Sequence, residues 1–123
     1  MLSQYTIAAL LRNYQGMLRR IAEIENITKA IGHAPGGEIF FFPDELLNVL
    51  NLPAKTPEIF KLRKVIFLID KMILSLDDKS SSVLKCLYID GNTYDKTSEI
   101  LEISRATVAS RRQKAIELMS KMV

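Results

Sequence analysis

The sequence predicts an all-α protein: a long N-terminal helical stem followed by a pair of short helices at the C-terminal end. Three observations carry this. Apolar residues recur three and four apart over two long segments, Ile7 to Ile31 and Ile59 to Leu76, which is the spacing of a helix face. Hydroxyl residues suited to capping, Thr93 and Ser104, precede two further short segments. Positive charge gathers behind the second of them. From Ser104 onward Arg105, Arg111, Arg112, Lys114 and Lys121 stand against Glu117 alone, about +4 in a chain of net charge +3. On this reading residues 1–76 form a stem with a loop at 32–56, and 77–123 form a separate C-terminal unit.

In the first helix Ile7, Tyr14 and Ile21 make one column, and Leu10, Met17, Ile24 and Ile31 the other. Leu11, Leu18 and Ile27 widen the stripe beyond a two-column seam, so the helix is expected to bury itself against more than one neighbour. Gly16 costs about 1 kcal/mol relative to alanine and marks a bend or a close approach. The opposite face, with Arg12, Arg19, Arg20, Glu23 and Lys29, reads as solvated. The helix should stop at Gly32, and GHAPGG reads as a connector in which His33 has no partner for base catalysis. Glu38 to Phe42 reads as a short extended piece. Its three phenylalanines, Phe40 to Phe42, need cover from the groove between helices or from a partner chain. Asp44 caps a short helix to about Leu50, and Asn51 to Lys55 is a linker.

Thr56-Pro57-Glu58 predicts the next start: a hydroxyl cap, proline at the first helical position and an acid near the positive end of the dipole. That helix runs to Leu76 with Ile59, Leu62, Ile66, Ile69 and Ile73 on its stripe, and Val65, Leu68 and Met72 beside them. The two long stripes can zip together as an antiparallel hairpin, pair with their copies in another chain, or both; periodicity leaves these open. Asp77 or Asp78 caps a helix ending near Asp90, in which Val83, Leu84, Leu87 and Tyr88 form a floor for the last two helices.

From Gly91 to Met119 the pattern is helix, tight turn, helix. Gly91 and Asn92 break the preceding helix, Thr93 starts one helix and Ser104 the other. Tyr94, Thr97, Ser98, Leu101 and Ile103 are answered by Val108, Ala115, Ile116 and Met119, a spacing that lets the two helices cross over a small core. A basic second helix behind a short turn lays side chains into a major groove and sets lysine and arginine on phosphates. The positions expected to meet base edges are Arg105, Ala106, Ala109, Ser110 and Gln113. Arg105 is the long donor among them, able to grip two acceptors of guanine, while the alanines can touch thymine methyls. Thr93, Ser104, Thr107, Arg111, Arg112 and Lys114 suit phosphates, with a second reading of Arg112 as a partly buried stem and of Ser104 as a cap alone.

This stretch resembles the helix-turn-helix of region four of bacterial sigma factors and of phage late-gene transcriptional activators of the ArpU and RinA type. Gly91, Thr93, Tyr94, Glu99, Ile100, Leu101, Ile103, Ser104, Arg105, Thr107, Val108, Arg111, Lys114, Ala115 and Ile116 carry the likeness. Thr97 and Ser98 stand where the family usually has Ile-Ala, Glu102 where glycine is common, and Arg112 where an apolar residue is common. LRNYQGMLRRIAEIE also resembles the N-terminal helix of the phage activators. The resemblance implies a sequence-specific transcriptional regulator of a phage or prophage, an activator of late genes, with RNA polymerase as a further partner. The alternative is a structural DNA adaptor such as a small terminase subunit; those usually place the DNA motif first, whereas here it is last.

Composition bounds the rest. With 48% hydrophobic residues in 123, the chain has more apolar content than so short a monomer easily hides, and a homodimer is the expected association. One cysteine, Cys86, and one histidine exclude a disulfide framework or a clustered metal site and fit a reducing cytoplasm, which the resemblance implies is that of a bacterial host cell. No phosphate-binding glycine loop, paired carboxylates or nucleophile and base stand out, so neither an enzyme nor a cofactor is expected. No opening signal pattern or membrane-spanning apolar run occurs, and no membrane partner is expected.

Overall fold

Every helix but the second begins where the sequence supplies a side-chain acceptor for a first-turn N–H or a proline ahead of it; the second follows the first directly through Asn13. The computed structural model describes residues 2–32 and 40–123. Its regular elements there are all helical: α1 Gln4–Arg12, α2 Tyr14–Ile31, α3 Asp44–Leu50, α4 Glu58–Leu74, α5 Asp78–Leu84, α6 Tyr94–Leu101 and α7 Arg105–Met122. A π-helical turn, Lys85–Ile89, continues α5. Ser3 accepts from the Thr6 N–H at 3.1 Å and Asp77 from the Ser80 N–H at 3.2 Å. The bonds from Ser80 hold the Asp77 carboxyl below its usual range.

The caps expected of Asp44 and Thr56 are not made. Pro43 and Pro57 occupy the cap positions, with extended ψ of 149° and 144°, and neither helix has a side-chain cap hydrogen bond. Proline fixes φ at about −65°, which sets the entry to the helix without a side-chain acceptor. α4 also ends at Leu74, two residues early: the Leu76 N–H bonds the Ile73 carbonyl three residues back at 3.1 Å and tightens the last turn, and Leu76 is buried all the same.

The helix expected over Ile7 to Ile31 is bent, and the bend lies at Asn13 rather than Gly16. Asn13 (φ −92°, ψ 1°) donates to the Ala9 carbonyl at 3.1 Å while its own carbonyl accepts from Met17 at 2.8 Å. Asn13 thus closes α1 with its N–H and opens α2 with its carbonyl, and the one sequence pattern is divided into two helices there. The result is that α1 packs on α7 and α2 on α4. Gly16 serves the close approach: a Cβ there would lie 3.3 Å from the Phe40 ring.

α2 and α4 run antiparallel within one chain. Tyr14 donates to Asp70 at 2.7 Å, Arg20 donates twice to one oxygen of Glu58 at 3.1 and 2.8 Å, and Glu25 pairs with Arg63. Met17 and Ile24 of α2 and Leu62, Val65 and Ile69 of α4 belong to one buried cluster. Arg20, expected on the solvated face, is only 6% exposed, because Glu58 opposite it is buried too. The hydrogen bonds it donates to Glu58 strengthen the guanidinium's hold on its proton against the penalty of burial. Gln15 caps the π-helical turn from outside, donating to the carbonyls of Tyr88 and Ile89.

Of the three phenylalanines, Phe42 is buried, Phe40 is half-buried against Gly16, and Phe41 is 87% exposed. His33, Glu38 and the connector between them lie outside the described residues. The main apolar cluster draws Leu2, Ile7 and Leu11 from α1 and its approach, Met17 from α2, Leu46 from α3, Leu62, Ile69 and Ile73 from α4, and Ile116 and Met119 from α7. Each such side chain, fully buried, contributes about 1.5–3 kcal/mol. Among the described residues, no helix is long and apolar enough to cross a membrane.

Candidate nucleic-acid interface

The surface is built by α6, α7 and the turn between them. The chain leaves the π-helical turn through Gly91 (φ +74°), and the backbone and side-chain N–H groups of Asn92 both bond the Cys86 carbonyl at 3.1 Å. Thr93 then accepts from the Lys96 N–H at 3.1 Å and starts α6. At the other end Glu102 adopts the left-handed conformation (φ 55°, ψ 44°) and bonds Glu99 at 3.3 Å, while Ile103 bonds Ser98 at 3.1 Å. This pair of bonds closes a helix C-terminus most often seen with glycine. Ser104 accepts from the Thr107 N–H at 3.1 Å, and its hydroxyl lies 2.8 Å from that of Thr107, so α7 starts at the residue its cap chemistry predicts.

Under the turn a second, smaller cluster of Val83, Leu87 and Val108 is ringed by Tyr88, Tyr94, Leu101 and Ile103. Thr97 is fully buried at this level, and its hydroxyl oxygen has no hydrogen-bond partner among the described residues. Such an orphan costs about 1–3 kcal/mol. The rest of the expected crossing differs. Ala115, Ile116 and Met119 face the main cluster and α1, because α1 folds back over the second half of α7. Ser120 donates to the Leu2 carbonyl at 2.6 Å and fixes that contact.

The five residues expected to read bases are all exposed. At about 100° per residue, Ala106, Ala109, Ser110 and Gln113 form one row along α7, with Arg105 at its start. Arg105 lies 3.4 Å from Asp95 of α6, and both side chains are largely in solvent, so the pair adds little to stability. Gln113 donates to Gln4 at 3.1 Å and to Glu117 at 3.4 Å. Gln4 and the start of α1 thus border the row, a neighbour that no local pattern in the sequence announces.

The residues expected to meet phosphates divide. Thr93 and Ser104 are exposed, and both serve as caps; Thr107 is half-buried beside Ser104. Arg111 is half-buried and Lys114 exposed, the latter near enough to Asp77 to help lower its pKa. Arg112 does not join them. Its Nε donates to the Tyr88 hydroxyl and its guanidinium lies 5.9 Å from the centre of that ring, the partly buried stem of the second reading. No family model, curated protein or solved structure matches the chain.

Proposed function

We propose that this protein is a sequence-specific double-stranded DNA-binding transcriptional regulator that lays α7 into the major groove. What carries the reading is one row of short exposed side chains, Ala106, Ala109 and Ser110, on a helix whose start is fixed by two capped termini and a three-residue turn. Short side chains let the helix backbone come close to base edges, and Arg105 at its N-terminal end then reaches a guanine. Arg111 and Lys114 flank the row as phosphate contacts, and the resting contact of Arg105 with Asp95 is weak enough to exchange for DNA. The direct code is accordingly thin, with Arg105, Ser110 and Gln113 the polar readers. The resemblance of the stretch from Gly91 to Ile116 adds the biological role, activation of phage late genes with RNA polymerase as a second partner. A homodimer would present two such rows to two half-sites.

The test is fluorescence anisotropy on duplex DNA over a range of salt. Each phosphate contact releases counterions, so affinity falls steeply with salt, and Arg111→Ala or Lys114→Ala lowers the slope by about one while weakening all sequences alike. Affinity that is the same at low and high salt removes this surface from consideration.

A further inference from the structure

α4 carries a second apolar row on the side away from the core. Phe60, Phe67 and Leu74 are 53%, 62% and 72% exposed, and their spacing of seven places them along a nearly straight line of about 21 Å. The core side of the same helix is already filled by Leu62, Val65, Ile69, Met72 and Ile73, so the row does nothing for the fold of a single chain. Around Phe60 and Phe67 it opens into a groove of about 530 Å³ whose other walls are Leu52, Thr56, Arg63 and Lys64. The rim is basic. Arg63, Lys64 and Lys71 are exposed along it, and the Lys71 ammonium lies 5.6 Å from the centre of the Phe67 ring. The carboxylates on α4 and across from it are engaged within the chain, Asp70 by the Tyr14 hydroxyl, Glu58 by Arg20 and Glu25 by Arg63.

We propose that this face docks an amphipathic helix of a partner protein, about four turns long, with apolar residues at heptad spacing and aspartate or glutamate beside them. The length and straightness of the row fit a helix laid along it. Its charge selects an acidic one. A second copy of this chain matches less well. Antiparallel pairing about Phe67 sets Lys71 of one copy against Arg63 of the other, and parallel pairing sets each of Arg63, Lys64 and Lys71 against its own copy. The proposal concerns α4 and stands apart from the DNA reading of α7.

The experiment uses the full chain and two synthetic helical peptides of about 18 residues, each with leucine at heptad positions, one flanked by glutamate and the other by lysine. The glutamate peptide binds at least tenfold more tightly than the lysine peptide. Phe67→Ser abolishes that binding with the helical circular dichroism and DNA affinity unchanged, and Lys64→Glu with Lys71→Glu reverses the preference. Arg111→Ala with Lys114→Ala leaves it in place, which separates this face from the basic part of α7. Equal binding of the two peptides, or glutamate-peptide binding that survives Phe67→Ser, overturns the proposal. So does a wild-type dimer in sedimentation that Phe67→Ser converts to monomer, which assigns the row to a second copy. Binding to phosphatidylglycerol vesicles that Phe67→Ser abolishes, with no peptide bound, overturns it in favour of a lipid surface.

Discussion

Glu102 sits at φ 55° in the turn before α7, a conformation in which its Cβ crowds the following carbonyl at about 1–2 kcal/mol. Glycine there relieves the crowding and gives back part of the gain as unfolded-state entropy. Glu102→Gly is therefore expected to stabilise the protein by about 0.5–1 kcal/mol, read as a rise of a few degrees in thermal midpoint with DNA affinity unchanged. A midpoint that falls instead would show that the glutamate side chain holds the turn. At this scale the sequence was legible wherever chemistry acts within one helical turn. Asp77, Thr93 and Ser104 cap as their residue types require, each bonding an N–H three residues on. It was illegible where the partner is remote: Arg20 is buried by a glutamate 38 positions away, and Arg112, expected among the phosphate contacts, is engaged by a tyrosine 24 positions away.

At the scale of elements, periodicity marked both long stripes but could not say which face meets which. The bend at Asn13 decides this, sending α1 to α7 and α2 to α4, and asparagine in a continuous helical pattern gives little warning of it. The solvent-facing row Phe60, Phe67 and Leu74 was hidden for a related reason. α4 is apolar on more than one side, so its strongest stripe obscures the weaker. The α2–α4 register is held at one end by Tyr14 and Asp70. Burial first, and then the hydrogen bond and negative charge of Asp70, raise the Tyr14 pKa above its ordinary 10.0. A raised folded pKa means the folded state keeps the proton longer. The stabilisation is complete below pH 10 and is lost as pH rises beyond it through the higher folded value. Tyr14→Phe should cost about 1–2 kcal/mol near neutral pH and remove this group's share of the alkaline fall in stability. Urea melts of both proteins at about pH 7 and above about pH 10 check it; a gap between them that does not narrow in alkali contradicts the assignment.

At the scale of the whole molecule, the stem and the C-terminal helices share a core. Ile69 is fully buried on α4, in the same apolar cluster as Ile7 and Leu11 of α1 and Ile116 and Met119 of α7. α1 lies over the second half of α7, so the bed of the proposed reading helix is made by residues from the opposite end of the chain. A charge at Ile69 has no partner in that setting and costs several kcal/mol, against a typical total stability of about 5–15 kcal/mol. From the sequence alone, Ile69→Asp would dissociate or unfold the N-terminal half and weaken DNA binding through loss of a linked second head. The shared cluster adds that α7 loses its support in the same event. Ile69→Asp should therefore lose the circular dichroism of all helices in one transition at lower urea, and DNA affinity should fall with the folded fraction whatever the oligomeric state. Sedimentation beside the wild type separates dissociation from unfolding. If the variant keeps α5 to α7 folded and binds DNA as the wild type does, the two clusters fold independently and α1 is not needed to hold α7.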